Sequence, residues 1–225
     1  MKEIMRSYHM FLPRVWVKWL IYLVYPLFTI GGMYVLCYKI RLFYFICTAF
    51  AGCIIIGVEY MLDGFVFAGI ASKHTNCLEY LKTSIKGMPM LKRGLIADGV
   101  RRFCSITVIM LALYPMICSD KVRGVSQGML HLIAYILFTY LLLEAGLIIL
   151  RFFTNVMVTL VCIYLEWIIV FMAGFNIFGI PVRIWHVLLL AAGCIAVAVA
   201  GRKIILKRAR DSYYDNRMEK MHKAG

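Results

Sequence analysis

Four carboxylates interrupt the apolar runs of this sequence, and they are the side chains there that could do chemistry. Glu59 and Asp63 stand four residues apart and share one helix face, whereas Glu144 and Glu166 lie in two later runs. A carboxylate at membrane depth costs roughly 2.5–3.5 kcal/mol, so each one needs a partner or a water-filled cavity. Structural pairing is one interpretation, with Glu144 bridging to Arg151 two turns away and Asp63 at the inner headgroups. A functional interior, of which a proton relay is one form, is the other, and its candidates are Glu59 and Glu166.

The composition places these carboxylates in a membrane protein. Hydrophobic residues make up 63% of the 225 positions and charged residues only 16%, which is far from the balance of a soluble globular domain. The formal net charge is +14, yet the Lys and Arg residues cluster at the ends of apolar runs rather than along one polar face. We therefore interpret them as topology signals and contacts to anionic membrane lipid, and we expect no nucleic-acid partner.

The hydrophobic pattern predicts an all-α integral membrane protein with a single transmembrane domain over residues 1–225. An interfacial helix over residues 1–16 precedes the apolar runs, and a basic tail over 206–225 follows them. Most of the 25 Lys and Arg residues fall on one side of the spans, which puts both termini and residues 71–102 in the cytoplasm. Six transmembrane helices are predicted, at about 17–38, 43–70, 103–118, 129–150, 154–173 and 184–205.

The polar stretch 72–102 is the longest interruption between apolar runs, and it contains a predicted amphipathic helix. Asn76 caps this helix, with Glu79 at the third helical position, and Gly87 followed by Pro89 ends it. Its apolar side is formed by Leu78, Leu81 and Ile85. A helix of this kind at a membrane surface either docks against a partner or covers the inner ends of its neighbours. The pattern alone leaves both alternatives open.

Motifs for catalysis or metal binding are missing from the sequence. It contains no G-x-x-x-x-G-K-[ST] loop, no H-E-x-x-H and no G-x-S-x-G. The segment DGVRR at 98–102 superficially resembles the start of the motif of membrane CDP-alcohol phosphotransferases. The later aspartates that would hold a metal ion are replaced there by Cys104, Ser105 and an apolar run. The eight cysteines show neither zinc-site spacing nor a disulfide framework, so we expect no cofactor or metal in this chain.

The layout as a whole resembles the permease subunit of an export-type ATP-binding-cassette (ABC) transporter, of the compact six-helix kind. It combines an amphipathic N-terminus, six spans with both ends inside, a long first cytoplasmic loop, short outer loops and an apolar turn before the last span. The segment EYLKTSIKGMP at residues 79–89 is similar to the region of these permeases where a short coupling helix precedes basic residues and the third span. No sizeable outer domain is expected, which leaves the substrate open.

The resemblance implies partners and site residues. Separate ATPase subunits would hydrolyse ATP with Mg, and a second permease chain, identical or different, would complete the path through a bacterial plasma membrane. Glu59 and Glu166 would contact an amphipathic or hydrophobic substrate, such as a peptide, a lipid or a drug. The residues implied to dock against the ATPase are Asn76, Leu78, Glu79, Tyr80, Lys82, Thr83 and Lys86.

Two functions of other classes stay open at this stage. An integral-membrane enzyme acting on lipids or peptides would need convergent polar groups at one depth, whereas the sequence offers scattered carboxylates. A non-transporting membrane partner, such as an immunity or assembly protein, would use the same docking helix. An adjacent reading frame that encodes a P-loop protein would favour transport.

Overall fold

The computed structural model describes residues 2–12, 15–40, 44–66, 84, 86–118, 125–152, 156–177 and 181–210, and nearly all of them are helical. The all-α fold predicted from the hydrophobic pattern is confirmed for this part of the chain. The helices are α1 (Lys2–Phe11), α2 (Val15–Trp19), α3 (Tyr25–Ile40), α4 (Tyr44–Val66), α5 (Gly87–Cys118), α6 (Val125–Phe152), α7 (Val156–Ile177) and α8 (Ile184–Arg210).

A π-helical turn at Leu20–Val24 joins α2 to α3, so that residues 15–40 form one continuous helical rod. In this turn the N–H of Tyr25 donates to the carbonyl of Leu20, five residues back. Pro26 follows at once, and in a regular α-helix its ring would collide with the carbonyl four residues before it. The wider turn accommodates the ring without ending the helix.

Helix α5 begins earlier in the chain than the predicted third span at 103–118. It contains 32 residues, so residues 87–102 are helical and continue directly into the predicted span at 103–118. Gly87 and Pro89 lie in its first turn, where a proline suits the helix because its missing N–H would have no partner in any case. The N–H of Gly87 donates to the carbonyl of Ser84 at 3.0 Å. The helix that contains the predicted third span therefore begins at Gly87, inside the segment 71–102 that is predicted to be cytoplasmic.

Three helices, α4, α5 and α6, pack against one another and form the centre of the bundle. Around them, α7 covers α4 and α6, α8 covers α6 and α5, and α3 covers α4 and α5. Where α3 packs on α4, the sulfur atoms of Cys37 and Cys47 lie 2.7 Å apart. The outer helices expose large apolar side chains, including Phe28 on α3 and Leu189 on α8. Such faces require a cover of lipid or protein.

Among the described residues, four stretches are long and apolar enough to cross a membrane, namely Val15–Lys39, Ile46–Gly64, Gly128–Arg151 and Ile184–Lys207. They coincide with four of the six predicted spans. Helix α7 holds a shorter apolar stretch, Leu160–Gly174, and α5 carries charged side chains along its first half. By the length and composition of its helices, the chain has the character of a membrane protein.

Helix α1 lies along α5 and is amphipathic. Ser7 and Tyr8 are buried, whereas Arg6 and His9 are exposed. The interfacial helix predicted over residues 1–16 is thus a helix over Lys2–Phe11 that ends before the first apolar rod begins. This packing places Tyr8 next to the charged residues of α5.

Candidate functional site

A network of buried ion pairs joins the three central helices. None of its members is more than 8% exposed. They come from α4 (Glu59 and Asp63), from α5 (Asp98, Arg101 and Arg102) and from α6 (Glu144 and Arg151). We call these residues the ion network.

Arg101 joins α5 to α4 through a bidentate ion pair. Its Nη1 and Nη2 donate to the two carboxylate oxygens of Glu59 at 3.0 and 2.6 Å. The same guanidinium donates to Oδ1 of Asp98, three residues earlier on α5, from Nε at 3.2 Å and from Nη2 at 3.1 Å. A planar guanidinium matches a carboxylate in this fork geometry, which fixes the orientation of both side chains.

Arg102 and Arg151 extend the ion network to α6. Arg102 donates to Glu144 from Nε at 3.0 Å, and it also binds Asp98. Arg151 donates to Asp63 from Nε at 3.0 Å, and its Nη2 reaches Asp98 at 3.5 Å. The sequence predicts a bridge between Glu144 and Arg151. In the structure each of them is ion-paired with a residue of another helix, Glu144 with Arg102 and Arg151 with Asp63.

The charges of the ion network come close to balance. Its carboxylates outnumber its guanidiniums by one, and Arg202 of α8 lies at its edge. A Cβ placed on Gly99 would lie 3.4 Å from Nη2 of Arg202 and 3.7 Å from Oε1 of Glu144. Buried charges are costly unless opposite charges and hydrogen bonds compensate them. Arg202 is the described cation nearest to this edge of the ion network that the network itself does not include.

Tyr8 of α1 lies at the edge of the ion network, near Asp98 and Arg101 of α5. Its side chain is 0% exposed and lies beside the carboxylate of Asp98. Burial, and next the charge of Asp98, raise the pKa of Tyr8 above its ordinary value. The group that α1 presents to the ion network is therefore a neutral phenol.

Glu166 stands apart from the ion network. It occupies the middle of α7, is 8% exposed, and accepts a hydrogen bond of 2.7 Å from the hydroxyl of Tyr60 on α4. Within the part of the chain that the structure describes, no Lys, Arg or His forms an ion pair with it. The two residues predicted for a substrate path thus differ, because Glu59 is fully buried against a guanidinium and Glu166 against a phenol.

The residues predicted to dock against an ATPase fall mostly in a part of the chain that the structure does not describe. Lys86 is described and exposed, and its carbonyl accepts the N–H of Met90 at 3.0 Å as α5 begins. Outside the described residues lie Asn76, Leu78, Glu79, Tyr80, Lys82 and Thr83. Their role as a docking helix stays a prediction.

Sequence reasoning missed the part of the ion network that α5 supplies. Arg101 and Arg102 were interpreted as cytoplasmic topology signals, and Asp98 was considered only as a fragment of an enzyme motif. One signal was present, since Asp98 precedes the two arginines by three and four residues. On a helix this spacing puts an acid and a base on neighbouring positions of one face.

An apolar cleft opens beside the ion network, between α5 and the N-terminal helices. Its volume is about 470 Å³, and one polar contribution to its wall is the buried Arg101. Apolar lining residues include Ile4, Ile21, Pro26, Ile96 and Val108. A cleft with this lining suits an aliphatic chain.

The ion pairs of the network connect three helices, α4, α5 and α6. Across the described ranges, no three His, Cys, Asp or Glu side chains are grouped so that they could hold a metal ion. The carboxylates of the ion network are each bound by at least one guanidinium. No protein-family model, no curated protein and no solved structure matches this chain.

Proposed function

We propose that this chain is the permease subunit of an export-type ABC transporter in a bacterial plasma membrane. Separate ATPase subunits hydrolyse ATP with Mg, and the chain supplies the membrane path for an amphipathic or hydrophobic substrate. Support comes from the apolar helices, from the pattern of the segment at 76–86, and above all from the position of the ion network.

The ion network lies near the end of α4 and in the first half of α5, on either side of the segment that connects these two helices. A force on that segment would act first on these parts of the two helices. Asp63 is three residues from the end of α4 at Val66, and α5 begins at Gly87 and carries Asp98 and both arginines. The residues between these two helices include the predicted docking segment. Since buried ion pairs tie both helices to each other and to α6, a displacement of the connection would move three helices as one body. This is the observation that carries the proposal.

The proposed topology has six spans, with both termini in the cytoplasm. Four helices meet the length and composition of a span, and α5 and α7 supply the other two. The ion network then lies toward the cytoplasmic ends of α4, α5 and α6. There it is close to the side on which ATP is hydrolysed.

A second permease chain and lipid together cover the faces that one chain leaves exposed. Trp185 on α8 is 77% exposed and Phe28 on α3 is 75% exposed, although both are large and apolar. One copy buries mainly its central helices. We therefore propose a homodimer or a heterodimer whose transport path lies between the two bundles.

Purification of the tagged chain from its native membranes in a mild detergent tests the proposal. Mass spectrometry is expected to identify a P-loop ATPase in a fixed ratio to the chain. Leu78→Asp, on the apolar side of the predicted docking helix, is expected to lower recovery of the ATPase by about tenfold or more, which corresponds to a loss of ~1.4 kcal/mol. The matched control is Lys73→Asp, which adds the same side chain outside that helix. Absence of an ATPase, or equal recovery with both variants, would contradict the proposal.

A further inference from the structure

The surroundings of Glu166 differ in kind from those of the other buried carboxylates. Glu59, Asp63, Asp98 and Glu144 each contact at least one guanidinium. Glu166 instead receives one neutral donor, the hydroxyl of Tyr60, at 2.7 Å. No Lys, Arg or His among the described residues forms an ion pair with Glu166.

Three helices meet at this carboxyl group and fix its position. Glu166 comes from α7 and Tyr60 from α4, while α6 contributes Gly146. A Cβ on Gly146 would lie 1.7 Å from Oε1 of Glu166 and 1.7 Å from the hydroxyl oxygen of Tyr60. The carboxyl and the phenol therefore occupy the space that a side chain at position 146 would take. The site is built by the fold rather than left on a lipid-facing surface.

Among the residues that the structure describes, the titratable groups beside this pair do not supply a positive charge. Around the pair they are Cys162, one turn earlier on α7, and Asp63, one turn after Tyr60 on α4. Asp63 is itself bound by Arg151 of α6, so that guanidinium is already occupied. An ionised carboxylate in the middle of a membrane helix is strongly disfavoured without a cation, whereas a protonated one carries no charge to desolvate.

We propose that Glu166 and Tyr60 form an intramembrane proton-binding site. In its resting state Glu166 is a neutral carboxylic acid. On release, its O–H bond breaks, the proton passes to water, and the electron pair stays on the carboxylate, which keeps the hydrogen bond donated by Tyr60. This site belongs to the membrane helices alone, and it stands whether or not an ATPase binds the chain.

Labelling of the full chain in native membranes with dicyclohexylcarbodiimide tests the site. This apolar reagent attacks protonated carboxyl groups within membranes, and mass spectrometry locates its adduct. Between about pH 5 and about pH 10 we expect labelling of Glu166 that falls as the pH rises, together with at least tenfold less labelling of Glu59. An unlabelled Glu166, a pH-independent adduct, or equal labelling of Glu59 would overturn the proposal.

The hydrogen bond from Tyr60 provides a second measurement that a purely structural role would not change. Tyr60→Phe removes a donor that stabilises the anion, so the pH at which labelling is half lost is expected to rise by about one unit. Infrared spectra give an independent readout, because the wild type is expected to show a carboxylic-acid carbonyl band that Glu166→Gln lacks. An unshifted profile in Tyr60→Phe, or the absence of that band in the wild type, would equally overturn the proposal.

Discussion

Each guanidinium of the ion network serves more than one carboxylate. Arg101 binds Glu59 and Asp98, and Arg151 binds Asp63 and Asp98, in surroundings that are almost free of solvent. Attraction between such charges is weakly screened, but the cost of taking them out of water is of similar size. The loss of one partner is therefore more harmful than the replacement of a whole pair, because it leaves a buried charge uncompensated.

Arg101→Met is expected to lower the free energy of unfolding by about 3–5 kcal/mol, since Glu59 loses its bidentate partner. The double variant Glu59→Leu with Arg101→Met is expected to recover most of this loss, because it removes both buried charges. Unfolding by SDS in mixed micelles measures both values. Lys92→Met is the control, as Lys92 is exposed on the same helix. A single variant as stable as this control would show that the pair does not hold α4 to α5.

At the scale of helices, the bundle depends on close approach where α4, α6 and α7 meet. Gly146 lets the hydroxyl of Tyr60 and the carboxyl of Glu166 approach the backbone of α6 more closely than any side chain at that position would allow. Gly64, near the end of α4, has no atom within 4 Å of the place that a Cβ would take. Position 146 therefore has no room for a side chain, whereas position 64 has, although both glycines lie in helices.

Gly146→Ala is expected to destabilise the bundle by about 1–3 kcal/mol, because the new methyl group must displace the side chains of α4 and α7. Gly64→Ala is expected to stabilise the protein by about 0.5–1 kcal/mol, since it only restricts the unfolded backbone. The same SDS titration compares the two variants. Equal effects of both substitutions would show that the three helices are not packed closely at Gly146.

The helices themselves could be predicted from the sequence, but their ion partners could not. Apolar runs predict membrane helices, because the length and composition of a run determine whether it enters lipid. The sequence pattern places the segment 71–102, which contains Asp98, Arg101 and Arg102, in the cytoplasm. Only the tertiary arrangement, in which α4 and α6 bring carboxylates to α5, makes their burial favourable. Glu166 is a candidate from the sequence because a carboxylate is costly at membrane depth. Nothing in its local sequence indicates that Tyr60 and Gly146 are its neighbours.

At the scale of the whole molecule, the proposed function requires the segment between α4 and α5 to face the cytoplasm. A variant that keeps only Cys77 is expected to resist an impermeant maleimide in intact cells and to react in inverted vesicles. A second single-cysteine variant, with Ser119→Cys in the predicted outer connection, is the control and is expected to react in intact cells. Labelling of Cys77 in intact cells would place the predicted docking helix on the wrong side of the bilayer.

The ion network also constrains how this chain matures during synthesis. Asp63 enters the membrane 88 residues ahead of Arg151, and Glu59 enters 42 residues ahead of Arg101. Glu59 has no guanidinium partner until Arg101 is made, and Asp63 gains Arg102 before it gains Arg151. Helix α4 therefore reaches its final set of ion pairs only after both α5 and α6 have been made.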